Sequence, residues 1–139
     1  EETTMTYVEK AKENHKKGYN CAQAVFCAFA DMLGLDEEQA YSISEGFGSG
    51  MGGRLMTCGA LTGAYMVLGM KNSDGRLGSK TTRMDTYKLI KELTAEFEGK
   101  NGSALCKELK GLTGGAVLRS CPGCVEDAAQ MTAAILGVE

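Results

Sequence analysis

The chain has 139 residues, 43% of them apolar, and a net charge of −3, which suits one domain, 1–139, built on one core. So mild a charge offers no basic patch to nucleic acid and no attraction to a membrane surface, and the longest apolar stretch, about 59–70, is too short to span a bilayer. No charged start followed by an apolar run reads as a signal peptide, so the expected location is cytoplasmic, although a leader already removed from an exported precursor would leave no trace.

Apolar residues recur at helical spacing along the chain, and one Pro against 19 Gly lets helices run uninterrupted. The first helix is predicted from about Thr3 to Lys17, with Val8, Ala11 and His15 on one stripe and Gly18 as its stop. Asn20 caps a second, from Cys21 to Leu33, whose inward stripe is Cys21, Ala24, Val25, Ala28, Phe29 and Met32 and which ends at Gly34. Asp36 caps a third running toward Glu45, with Ala40, Ile43 and Phe47 inward. A glycine loop follows, Gly46 to Arg54. Thr57 then caps a helix from Cys58 to about Met70 that is apolar on nearly every side and so reads as central and buried. Its Gly59 and Gly63 lie one turn apart and would let a neighbouring backbone come close. After a turn at 72–78, Ser79 caps an amphipathic helix to about Phe97, with Met84, Tyr87, Ile90 and Leu93 inward. Ser103 caps a short helix holding Cys106, Gly111 to Gly115 form a break, and the last helix opens at Cys121 and Pro122. Its stripe is Val125, Ala128, Ala129, Thr132, Ile135 and Leu136. No period-2 strand and no internal repeat are visible. The expected fold is therefore an all-α single-domain bundle of about six or seven helices around the 58–70 helix.

Six cysteines stand against one histidine. In a short secreted chain that count would suggest a disulfide scaffold, but here the apolar periodicity already supplies a core. Cys21 follows its cap Asn20, Cys58 follows Thr57, and Cys121 stands at a helix start because Pro122 suits the first helical position. Helix starts favour an anion by about 0.3–1 kcal/mol, which raises the thiolate fraction. The thiolate is the form that attacks disulfides and binds metals. Each cysteine alone could be a small core hydrophobe; three at helix starts favour function.

Cys121-Pro122-Gly123-Cys124 puts two sulfurs on one helix face, in reach of a disulfide or a shared metal. It lacks the βαβ setting of a thioredoxin-like fold, and a lone His15 gives no zinc-finger spacing. His15 itself reads as a boundary histidine with a satisfied hydrogen bond. Cys27 points about 120° away from Cys21 on an ideal helix and reads as a buried structural thiol. The 46–53 loop follows no strand and lacks the Gly-Lys-Ser/Thr ending of a phosphate loop. Its Gly48, Gly50, Gly52 and Gly53, with Gly59, could instead approach closely and aim amide protons at an anionic sulfur or cluster, and are the candidate cofactor-binding residues. The eight methionines read as core filler.

Gly18-Tyr19-Asn20-Cys21-Ala22-Gln23-Ala24-Val25, the 46–53 loop, Thr57-Cys58-Gly59-Ala60-Leu61-Thr62-Gly63-Ala64, Leu105-Cys106-Lys107-Glu108-Leu109 and Cys121-Pro122-Gly123-Cys124-Val125 together resemble the C_GCAxxG_C_C family of redox-active proteins over nearly the whole chain. The family's Cys-Gly-Ala-x-x-Gly core is how Cys58 to Gly63 reads. The resemblance implies four key cysteines, Cys21, Cys58, Cys106 and Cys121, with Cys27 and Cys124 as additions. It also implies a redox partner protein or a transporter-associated oxidoreductase. Some relatives carry twin-arginine export signals; this chain shows no such segment.

Three readings follow. In the first, the four cysteines converge as a thiol–disulfide or electron-transfer site, a thiol-dependent oxidoreductase if it is an enzyme. Cys58 would be the nucleophile, Cys121, Cys21 or Cys106 would resolve it, and Cys124 would be a local partner. In the second, Cys21, Cys58, Cys106 and Cys121 hold an iron–sulfur cluster or another metal, so the cofactor is a cluster or none. In the third, the chain is a helical adaptor whose apolar helix 59–70 packs against a partner. Substrate and oligomeric state stay open.

Overall fold

A computed structural model describes residues 5–139. It is all-α, with no strand among those residues. The helices are α1 (Tyr7–Lys16), α2 (Cys21–Ala28), α3 (Ala30–Leu33), α4 (Glu37–Ser44), α5 (Gly59–Asn72), α6 (Arg83–Asn101), α7 (Cys106–Leu109) and α8 (Cys121–Leu136). Among the described residues there are eight rather than six or seven, because the predicted second helix breaks at Phe29. There the backbone turns out of the helix and the ring stacks on Tyr7, centroids 4.7 Å apart. The predicted start at Thr3 lies outside the described residues; among those described, Thr6 caps α1 through a reciprocal pair with Glu9.

Helices α2, α5 and α8 form the centre, with α1, α4 and α6 packed around them. All of α2 after Cys21 is buried. The core comprises Phe26, Phe29, Leu61, Leu68, Leu93, Phe97 and Val125, each stabilising the fold by about 1.5–3 kcal/mol on burial. Helix α5 is central as its composition predicts: Gly59 to Ala64, Val67 and Leu68 are all buried within this chain, not left for a partner. A Cβ on Gly63 would lie 2.6 Å from the Ala22 carbonyl oxygen, so glycine is what lets α5 ride on the α2 backbone. No helix of the described residues is long and apolar enough to cross a membrane.

Several local expectations are corrected. Ser79 does not cap α6. Its hydroxyl bonds Asp74 in the preceding turn, and the helix starts at Arg83 and runs on to Asn101. Met84 and Tyr87 are exposed, and α6 touches the core mainly through Leu93 and Phe97. In the third predicted helix Ala40 is buried, but Ile43 and Phe47 are exposed and Ser44 takes the inner place. Most methionines are not core filler: Met5, Met51, Met56, Met70 and Met84 are exposed, whereas Met131 is buried and Met32 and Met66 pack half-buried against the core. Thr57 is no cap either; it pairs with Leu105 in an isolated antiparallel bridge, and Cys58 is itself the N-cap of α5.

Candidate functional site

The cysteines are placed by backbone first. Asn20 accepts from the Gln23 amide at 2.8 Å, and Gln23 accepts from the Asn20 amide at 3.0 Å. This reciprocal cap starts α2 at Cys21. Ser120 accepts from the Gly123 amide at 3.1 Å and starts α8 at Cys121. The Thr57–Leu105 bridge fastens the other two. Cys58 N–H donates to Ala104 O at 2.8 Å and Cys106 N–H donates to Met56 O at 2.7 Å, so Cys58 and Cys106 stand side by side. The close approach of α5 to α2 supplies the remaining link, because a Cβ on Gly59 would lie 3.2 Å from Cys21 Cβ.

A buried carboxylate sets the start of α8. Asp127, 1% exposed, accepts from Lys100 at 2.7 Å, from Arg119 at 3.0 and 3.1 Å and from Asn101 at 3.2 Å. Burial alone would raise its pKa, but these three partners hold it below the usual carboxylate range. They tie α6 and the segment before α8 to the turn that carries Cys121 and Cys124. Gly123 makes room for this: a Cβ there would meet Arg119 Nε at 2.5 Å. The glycine of the Cys-x-x-Cys thus serves an arginine crossing.

The result is a cavity of about 320 Å³ into which Cys21, Cys58, Cys106 and Cys121 all face. His15, Arg54 and Lys110 line it too, and among the described residues no carboxylate does. The His15 Nε2 lies 3.9 Å from Cys21 Sγ. Lys110 donates to the Arg119 carbonyl at 3.3 Å and stands 3.9 Å from Cys124 Sγ. All six cysteines are free thiols. Cys27 is buried away from the cavity, its sulfur 4.0 Å from the Glu37 carbonyl, and burial pushes its pKa to about 11. Gly50 and Gly59 line the cavity; a Cβ on Gly50 would lie 2.7 Å from Cys106 Cβ. Gly48 packs on the Asn20 side chain, whereas Gly52 and Gly53 are exposed and face open space.

The thiols fall into two pairs. Cys121 is held down to about 5, first by the Cys21 thiol donating toward its sulfur and then, against the cost of burial, by the Lys110 ammonium and His15. Cys21 is correspondingly raised, because Cys121 carries the pair's charge and burial disfavours a second one. Cys58 is lowered to about 7, first by Cys124 and then, against burial, by the Ala60 and Leu61 amides of the first turn of α5 and by Lys110. Cys124 is raised in turn. Cys106 is raised by burial and by the Cys58 charge. Burial opposes the Lys110 charge, yet Cys121, Cys124 and Cys58 outweigh it and leave its pKa raised. Lys110 is therefore the cation common to both pairs.

Cys121 and Cys124, which share a helix face, thus engage different partners. Sequence reasoning missed Lys110 and Arg54 and assigned His15 no role in the site. One signal was available: Lys110 follows Cys106 by four residues, the spacing that brings two side chains onto one helical face. As for metals, no three His, Cys, Asp or Glu side chains among the described residues come together as ligands of one ion. Lys110 also stands where such a cation would be repelled.

Neither the curated proteins nor the solved structures contain a match to this chain. A family model described as "Putative redox-active protein (C_GCAxxG_C_C)" matches residues 19–135. That span takes in the five cysteines of the cluster and the bridge that joins two of them, and the chain belongs to this family.

Proposed function

We propose that the protein performs thiol–disulfide exchange through the Cys21–Cys121 pair. The observation that carries this reading is a half-buried Cys121 at a helix start, facing a cavity that the Cys21 thiol and the Lys110 ammonium also line. Such a thiolate is ionised at neutral pH and accessible, the two requirements for attack on a disulfide. Cys58 also faces the cavity but is only 2% exposed, so the nucleophile's role goes to Cys121.

In the first step the Cys121 thiolate attacks one sulfur of a substrate disulfide. The substrate's S–S bond breaks, its other half leaves as a thiolate, and Cys121 is held in a mixed disulfide. Lys110 and the Cys21 S–H stand beside the charge that shifts, and once Cys121 has lost its charge to the mixed disulfide the Cys21 proton passes to the departing thiolate. Cys21, having given up its proton, then attacks the Cys121 sulfur and releases the second half. The Cys21–Cys121 pair is oxidised by two electrons, and the substrate is reduced to two thiols. A dithiol reductant reverses the sequence and restores the pair.

The test is trapping. Cys21→Ala should accumulate a mixed disulfide at Cys121, found by mass mapping, while Cys121→Ser should lose the reaction. Unchanged disulfide reduction by Cys121→Ser would overturn the reading.

A further inference from the structure

The cavity's charges go beyond what exchange alone needs. Lys110 is occupied by the thiolates of both pairs. Asn20 is occupied by its helix cap and by the Glu45 carbonyl at 3.0 Å. Arg54 is different: it lines the cavity and makes no ion pair among the described residues, whose bridges involve Lys12, Lys100 and Arg119. Its backbone sits at φ +64°, within a turn where Ser49 and Met51 are also left-handed. Holding three non-glycine residues there costs free energy, and the turn is fixed by Arg54 N–H donating to Ser49 O at 2.7 Å. A guanidinium so placed, beside a cavity to which the described residues contribute no carboxylate, matches a planar oxyanion. At about 320 Å³ the space is near the lower end for small-molecule sites.

We infer that the substrate of this site is a small disulfide carrying a carboxylate or similar oxyanion, held by Arg54 while Cys121 attacks its S–S bond. The inference rests on the exchange reading above and adds the class of substrate. The electron balance is unchanged: two electrons pass from the Cys21–Cys121 pair, and the bound disulfide leaves as two anionic thiols.

The experiment is stopped-flow reduction of two small disulfides at pH 7. One is the dicarboxylate 5,5′-dithiobis(2-nitrobenzoate) and the other is uncharged 4,4′-dithiodipyridine. Each rate is divided by that of the same reagent with a free cysteine peptide. At low salt the native protein should favour the anionic reagent by roughly tenfold or more, and added salt should erode the preference. Arg54→Glu should abolish it and Arg54→Lys should keep most of it; every replacement bears a Cβ, so the left-handed backbone penalises all alike. Equal normalised rates in the native protein, an unchanged preference in Arg54→Glu, or faster reduction of insulin disulfides than of the small anion would overturn the inference while leaving exchange intact. Reaction of neither reagent at Cys121 would overturn the exchange reading itself.

Discussion

The charge on Cys121 depends chiefly on one neighbouring hydrogen, that of the Cys21 thiol. Cys21→Ala removes that donor, and the Cys121 pKa should rise from about 5 toward the free-thiol value near 8.5. The pH dependence of iodoacetamide alkylation at Cys121, followed by mass spectrometry, measures it. In the native protein the rate should be flat above about pH 6 and fall as pH drops through the value near 5; in the variant the fall should begin well above neutrality. Lys110→Met should shift the profile the same way by less, since Lys110 contributes after Cys21. At this scale the sequence told half the story. Asn20 and Pro122 marked two helix starts because caps are local chemistry, but only Cys121 is held as a thiolate; Cys21, expected to ionise at its helix start, is raised by Cys121 and by burial. Lys110 and Arg54 carried no such mark, because a lysine or arginine gains its meaning only from what folding sets opposite it.

Among elements, the seating of α5 on α2 governs whether the cysteines meet at all. Gly63→Ala would drive a Cβ to 2.6 Å from the Ala22 carbonyl, a clash with backbone that cannot rotate away. It should cost about 1–3 kcal/mol, read as a lower urea midpoint at unchanged slope, and disulfide reduction should weaken with it. Gly69→Ala, on the same helix with nothing within 4 Å of its Cβ, should be neutral or stabilising. The helix order, the central α5 and its glycine pair were legible because 3.6-residue periodicity survives any tertiary arrangement. The start of α6 was not, since Ser79 looks like a cap and only the folded turn commits its hydroxyl to Asp74. Nor was the Thr57–Leu105 bridge, a pairing of residues far apart in the chain with no strand pattern around either.

For the molecule as a whole, Asp127 is the buried charge on which α6, α8 and the segment between them converge. Asp127→Asn keeps the shape but leaves Lys100 and Arg119 without their anion; both are partly exposed and can recover water, so the cost should be about 2–3 kcal/mol at neutral pH. The folded carboxyl's pKa is depressed. Its contribution is therefore full above the unfolded value, near 3.9, and drains away as pH falls below that through the folded value. Native and variant proteins should differ in urea stability at pH 7, and the gap should narrow steadily as pH falls below about 3.9.

Cys21 and Cys121 come from opposite ends of the chain and are 100 positions apart, and the Tyr7 amide donates to the Glu139 carbonyl at 2.8 Å where those ends meet. An oxidised Cys21–Cys121 pair would therefore ring-close most of the polypeptide. By loop-closure entropy that restricts the denatured chain by about 4.7 kcal/mol, at the upper end of what crosslinks deliver in practice. Redox state and thermal resistance become one variable: the melting temperature should climb when the pair is oxidised, and by thermodynamic reciprocity the folded state should make that crosslink harder to reduce than it is in the denatured chain.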